Sequence, residues 1–195
     1  ERADGDFAVL EGVMGLYDGL GGIYEQGSSY HLAKVTQTPI ILVVDAKGMG
    51  KSVLALIAGF LQYDTHHLIK GVLLNRMSKG YYDIIKPLIE KELSVKVVGY
   101  FPEQKDIVLS SRHLGLVMPD ELSDIKKQLN ETADRLKKTI DMDLFIDIAE
   151  AADEIGDSEN ADVYNEKNIG NCAQNEFSQN RAINTVNIAV AMDEA

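Results

Sequence analysis

Short uninterrupted apolar runs alternate along this chain with stretches whose apolar residues recur every three or four positions. Ala8-Val9-Leu10 ends abruptly at Glu11, and the run from Pro39 through Val44 ends at Asp45. Lys70 through Leu74 ends at Asn75-Arg76, and Val95 through Phe101 is closed by Pro102. Runs of this kind, rich in β-branched residues, mark strands buried on both faces of a parallel sheet. The intervening segments read as helices: 28–36, with Ser28 or Ser29 as cap, 53–61, and 81–93, with Ile84, Ile85, Leu88, Ile89 and Leu93 at helical spacing. A longer charged helix follows over 120–139, with Leu122, Ile125, Leu129 and Leu136 on one side, and the helical pattern runs on weakly to about residue 155. Strands alternating with helices at these intervals predict an α/β fold, a parallel sheet with helices on both faces.

The residues at the strand ends carry the candidate chemistry, because open α/β sheets bind ligands at the carboxyl edge of their strands. Glu11 is followed by Gly12, Gly15 and Gly19, three glycines within eight residues, which let backbone approach a ligand closely. A carboxylate so placed suits a hard cation such as Mg²⁺, and an ordinary glycine-rich turn reads equally well from spacing alone. Gly48-Met49-Gly50-Lys51-Ser52 after a strand invites a phosphate-loop reading. That loop needs a glycine five residues before the glycine of Gly-Lys-Ser, and Asp45 stands there, its carboxylate opposing a phosphate. Asn75 offers an amide able to match the donor and acceptor edge of a base. Arg112 and His113 place a cation and an imidazole together in an expected loop, suited to a carboxylate or phosphate.

Composition changes this picture in two places. The net charge of −12 is local: residues 141–180 hold eleven acids against Lys167 alone, a net of −10, while residues 1–140 hold eighteen acids and seventeen bases. A near-neutral body is compatible with an anionic ligand, and the acidic remainder argues against nucleic acid. Residues 156–184 are polar, acidic and Asn-rich, a linker composition, and the apolar run 186–190 reads as the first strand of another domain. The expected organisation is therefore a main domain over 1–140, an acidic helix and linker over 141–184, and the start of a further domain over 185–195. No apolar run is long enough to predict a membrane span and no secretion leader is evident, so the expected setting is cytoplasmic. Cys172, the single cysteine, has no Cys or His at metal-ligand spacing.

EGVMGLYDG (residues 11–19) closely resembles a motif of the cobyrinic acid a,c-diamide synthase family. PIILVVDAKGMGKS (39–52), GVLLNR (71–76), VGYFP (98–102), SRHLGLV (111–117) and NIAVAMDEA (187–195) fall in that family's order. The resemblance implies a P-loop NTPase-like synthetase domain, similar to dethiobiotin synthetase, joined to a glutamine-hydrolysing domain. It implies ATP and Mg²⁺ as cofactors, glutamine-derived ammonia, and a corrinoid or related tetrapyrrole carboxylate as substrate. On this reading Glu11 holds the metal, Asn75 recognises adenine, and Asp18 orients substrate or accepts a proton from ammonia. Arg112 and His113 contact substrate. The sequence carries no GxxxxGK[ST] motif, so it reads as a fragment incomplete at its N-terminus, with a sheet lacking its central strand, inactive and binding nucleotide very weakly alone. Two other readings stay open: amidation of nickel-sirohydrochlorin by the same machinery, and a non-amidating ATPase or binding module of the partition type.

Overall fold

The computed structural model describes residues 8–12, 14–104, 111–112, 115–116, 125–152 and 188–192. Five parallel strands form the main sheet in the order β1-β7-β2-β3-β4, where β1 is Ala8–Gly12, β2 Ile40–Asp45, β3 Ile69–Asn75, β4 Lys96–Phe101 and β7 Ile188–Met192. Helices α1 (Ser29–Thr36), α2 (Ser52–Tyr63) and α3 (Lys79–Leu93) are the crossovers, and α4 (Ile125–Thr139) and α5 (Met142–Glu150) follow β4. This is the α/β class expected from the sequence. The limits of α1, α2 and α3 differ by one or two residues from those read off periodicity. Ser28 caps α1 by accepting from the His31 amide at 3.0 Å, and Gln37 ends it in a left-handed conformation.

Side-chain alternation along the strands divides the core into two layers. Ile40, Leu42 and Val44 of β2, Val72 and Leu74 of β3 and Val97 of β4 pack with Tyr30, Ala33, Val53, Ile57, Ile85 and Ile89 of α1, α2 and α3. Ile41 and Val98 point to the opposite face and meet Ile148 of α5, with Leu73, Leu144 and Phe145 beside them. Both faces of the central strands are thereby removed from water over most of their length, which is why Ile40–Val44 and Val72–Leu74 are apolar without interruption. At the far edge Gly99 lies where a Cβ would fall 2.4 Å from the Thr139 carbonyl oxygen, so only glycine lets β4 pass the end of α4.

The fold also places two further segments. The apolar run assigned to a further domain lies, as Ile188–Met192, in the slot between β1 and β2, paired in parallel with both. Five consecutive uncharged residues satisfy a position flanked on both sides by strands, whatever their distance along the chain. The Ser110–Leu116 stretch, expected as a loop, contains a short antiparallel ladder of β5 (Ser111–Arg112) with β6 (Gly115–Leu116). The linker over 156–184, Cys172 and residues 120–124 of the expected long helix lie outside the described residues.

Candidate functional site

Glu11 of β1, Asp45 of β2 and Asn75 of β3 each stand at the carboxyl end of a parallel strand, but the register sets Glu11 level with Ile41 across Ala191, four residues short of Asp45. Glu11 is exposed there, one residue before β1 ends. Asp45 stands opposite Asn75 in register. Counting β7 and β2 between them, β1 and β3 are three strand spacings apart, roughly 14 Å laterally, and Asn75 stands four residues, about 13 Å, farther along the strand direction than Glu11. Arg112 belongs to β5, and His113 lies outside the described residues.

Beyond β1 the chain enters a glycine-rich loop that is fixed by its own backbone. A turn closes from the Asp18 amide to the Gly15 carbonyl at 2.9 Å, and the Asp18 carboxylate then lies against Gly15, where a Cβ would sit 2.3 Å from Oδ2. The Gly19 amide donates to the Tyr24 carbonyl (2.9 Å) and the Leu20 amide to that of Gln26 (2.8 Å), with a single 3-10 turn at Leu20–Gly22. Tyr17 bolts the loop to the body: its hydroxyl donates to the Phe60 carbonyl at 2.7 Å, and its ring lies 4.9 Å from that of Tyr30 and 6.0 Å from that of Phe60. Burial raises the Tyr17 pKa, with the Asp64 charge adding to it, so this phenol remains a donor. The loop therefore holds Asp18 exposed on a rigid turn.

These glycines make two distinguishable predictions for the full-length protein. At Gly15 the obstruction is a side chain that can rotate away, so Gly15→Ala should leave the melting temperature unchanged while displacing Asp18 and lowering turnover about tenfold. At Gly19 a Cβ would lie 2.2 Å from the Gln26 carbonyl oxygen and 2.5 Å from that of Tyr24, both backbone atoms. Gly19→Ala should therefore cost about 2 kcal/mol of stability, read from a urea midpoint.

On the other side of the edge, Arg76 and Asp45 form a two-pronged ion pair, with Arg76 Nε 2.8 Å from Asp45 Oδ1 and its Nη2 on Oδ2. Asp45 Oδ1 also accepts from the Lys47 amide at 3.1 Å. The carboxylate that opposes phosphate in the sequence reading is thus paired with a guanidinium. Arg76 adopts φ 56°, an uncommon conformation for a residue with a side chain, and its amide donates to Asn75 Oδ1 at 3.0 Å. Sequence reasoning took Arg76 only as a strand end. The signal was an Asp and an Arg at the ends of two strands, legible only once those strands are known to be neighbours. Lys51, at the start of α2, lies 3.2 Å from Glu92.

Among the described residues no group of three or more His, Cys, Asp or Glu is placed to hold a metal ion. Glu11 offers one exposed carboxylate, which fits Mg²⁺ better than a cation needing a full protein cage, since Mg²⁺ keeps several waters and takes one or two carboxylates together with phosphate oxygens. No described helix is long and apolar enough to cross a membrane.

A parallel sheet flanked by helices, with polar residues at the carboxyl ends of its strands and a glycine-rich loop after the first, makes this an α/β protein of the P-loop NTPase-like class. The chain is 37% identical over 154 residues to a cobyrinate a,c-diamide synthase of Listeria innocua, covering 78% of this chain and 34% of that protein. Against proteins of the same name it is 40% identical over 144 residues in Caldanaerobacter subterraneus subsp. tengcongensis (73% and 32%) and 38% over 144 residues in Clostridium acetobutylicum (73% and 33%). The chain belongs to the cobyrinate a,c-diamide synthase family. It spans about a third of the length of these curated relatives. No protein-family model and no solved structure matches it.

Proposed function

We propose that this chain is the substrate-activating part of an enzyme that amidates the a and c acetate carboxylates of cobyrinic acid, using ATP and ammonia released from glutamine. What supports the reading is family membership, together with a carboxylate, Glu11, and an amide, Asn75, each at the carboxyl end of a parallel strand. A carboxylate is a poor electrophile. The γ-phosphoryl group of ATP passes to a substrate carboxylate oxygen and ADP leaves; ammonia then attacks the acyl carbon and phosphate departs with the acyl–oxygen bond. Asn75 donates to the base. Mg²⁺ held by Glu11 supplies neutralisation of phosphate oxygens. Asp18, held over Gly15, takes the proton that ammonia loses on attack. Arg112 and His113 are the proposed contacts to the substrate's other carboxylates. Glutamine hydrolysis belongs to a separate domain of the full-length protein, and the site operates in the cytoplasm.

The test is mass-spectrometric. The full-length protein, supplied with glutamine, ATP and Mg²⁺, is offered cobyrinic acid and nickel-sirohydrochlorin in separate reactions. Two successive amidations of cobyrinic acid are expected. Amidation of nickel-sirohydrochlorin alone would move the substrate assignment. ATP hydrolysis without amidation of either would replace this reading with a partition-type ATPase.

A further inference from the structure

The charges at the ends of β2, β3 and β4 are paired across the strands. Asp45, which ends β2, stands in register with Asn75, which ends β3, and Asn75 in turn with Phe101 of β4. Arg76 grips Asp45 with two guanidinium nitrogens, and Lys47, just past β2, pairs with Glu103, just past β4. These four charges make two opposite-sign pairs, and Asn75, at the end of the strand between β2 and β4, carries an uncharged carboxamide. Such surroundings suit an uncharged part of a ligand better than a phosphate, which calls for a cation of its own. The backbone at Arg76 is held in a left-handed turn, φ 56°, and the residues on either side are anchored. The Ala46 amide donates to the Asn75 carbonyl at 2.8 Å and the Met77 amide to the Phe101 carbonyl at 3.1 Å, with Met77 itself buried. In this turn the Arg76 amide donates to Asn75 Oδ1 at 3.0 Å. A backbone N–H can only donate, so the atom it meets is the amide oxygen, and this contact sets which way the Asn75 carboxamide faces.

We propose that Asp45 and Arg76 are positioning residues, which fix the carboxamide of Asn75 for the base of the bound nucleotide. The inference rests on the role of Asn75 proposed above. Three observations carry it. First, a left-handed residue with a side chain costs free energy and persists where its surroundings over-determine it. The two-pronged pair offsets that cost by holding Arg76 to β2 in the conformation that brings its amide to Asn75. Second, the pair is open to water, with the Arg76 side chain 42% exposed and that of Asp45 32%. An ion pair so exposed adds little to stability, whereas two parallel N–H···O bonds still constrain direction. Third, Asp45 is itself held, because its Oδ1 also accepts from the Lys47 amide at 3.1 Å. Orientation therefore passes from the backbone after β2 through Asp45 and Arg76 to Asn75, and neither charged residue has to touch the nucleotide.

The test uses the full-length protein with Arg76→Ala, Arg76→Gly, Arg76→Lys and Asn75→Ala, each made singly. Amidation rates give kcat and KM for ATP and for GTP, and circular dichroism establishes that each variant is folded. Arg76→Ala removes the pair and leaves a side chain in the left-handed turn. Its KM for ATP should rise about fivefold with kcat within about twofold, and its preference for ATP over GTP in kcat/KM should fall by a similar factor. Arg76→Gly also removes the pair but takes the turn without strain, so it should bring both quantities back to within about twofold of the wild type. Arg76→Lys keeps the charge without the two-pronged geometry and should resemble Arg76→Ala. The reverse order, with Arg76→Lys near the wild type and Arg76→Gly as impaired as Arg76→Ala, would show the cation itself holding the nucleotide and would overturn the inference. Wild-type constants in Arg76→Ala, beside a raised KM for ATP in Asn75→Ala, would overturn it too and leave Asn75 with the base. An Asn75→Ala variant with unchanged KM for ATP and unchanged preference would overturn the role of Asn75, and the inference with it.

Discussion

Replacing Glu11 by glutamine in the full-length protein should lower amidation about 10³-fold, equivalent to about 4 kcal/mol of transition-state stabilisation. The substitution preserves shape and removes one negative charge from an exposed side chain at the end of β1, so the sheet has no reason to unfold. What it removes is an anionic oxygen where phosphoryl transfer would need its cation held. The check is a rate measurement across Mg²⁺ concentrations, with circular dichroism to establish that the variant is folded. A metal ligand predicts that the half-saturating Mg²⁺ rises steeply and that added Mg²⁺ restores part of the rate. Full activity at ordinary Mg²⁺ would remove Glu11 from the site.

The second large effect concerns stability. Asp64, at the end of α2, is 2% exposed, and its carboxylate accepts three hydrogen bonds: from the Tyr30 hydroxyl at 2.9 Å, the Leu68 amide at 2.9 Å and the Ile69 amide at 2.7 Å. It joins α1, α2 and the start of β3 in one knot. The Tyr30 hydroxyl in turn accepts from the His66 amide at 3.2 Å, and burial raises its pKa, so it stays a donor to Asp64. Asp64→Ala leaves two backbone amides and one hydroxyl without their acceptor in a buried place. Each such loss costs about 1–3 kcal/mol, and the variant should lose about 4 kcal/mol in all. Asp64→Asn, which keeps one acceptor oxygen, should lose about half of that. Urea unfolding of the full-length protein reads the magnitude. Hydrogen exchange should show the loss concentrated at α1, α2 and the beginning of β3, and an even loss across the sheet would contradict the local knot.

Asp64 also bears on Asp18, although it is remote from the proposed chemistry in sequence. Tyr17, one residue before Asp18, packs tilted against Tyr30 and stacks on Phe60, the residues that Asp64 and α2 hold in place. Loosening the knot loosens the seat of the loop. Asp64→Asn is therefore the more informative variant for function, since turnover should fall while β2 and the carboxyl half of β3 remain intact.

Strand identity, direction and the candidate edge were legible in the sequence, because two-sided burial imposes apolar residues at every position and a parallel strand has a single ligand-facing end. Glu11, Asp45 and Asn75 could be placed at strand ends from that pattern alone, and the family could be read from ordered motifs. Three matters were decided only in three dimensions. Arg76 pairs with Asp45 because β2 and β3 are neighbours in register, a relation no local pattern encodes. Residues 188–192 enter the sheet between β1 and β2 because a flanked slot selects for uncharged extended chain and is indifferent to sequence distance. The rigidity of the loop before α1 arises from backbone hydrogen bonds whose donors and acceptors carry no side-chain signature, so the sequence shows its glycines and its apolar residues while only the fold shows that they stand together, fixed and facing water.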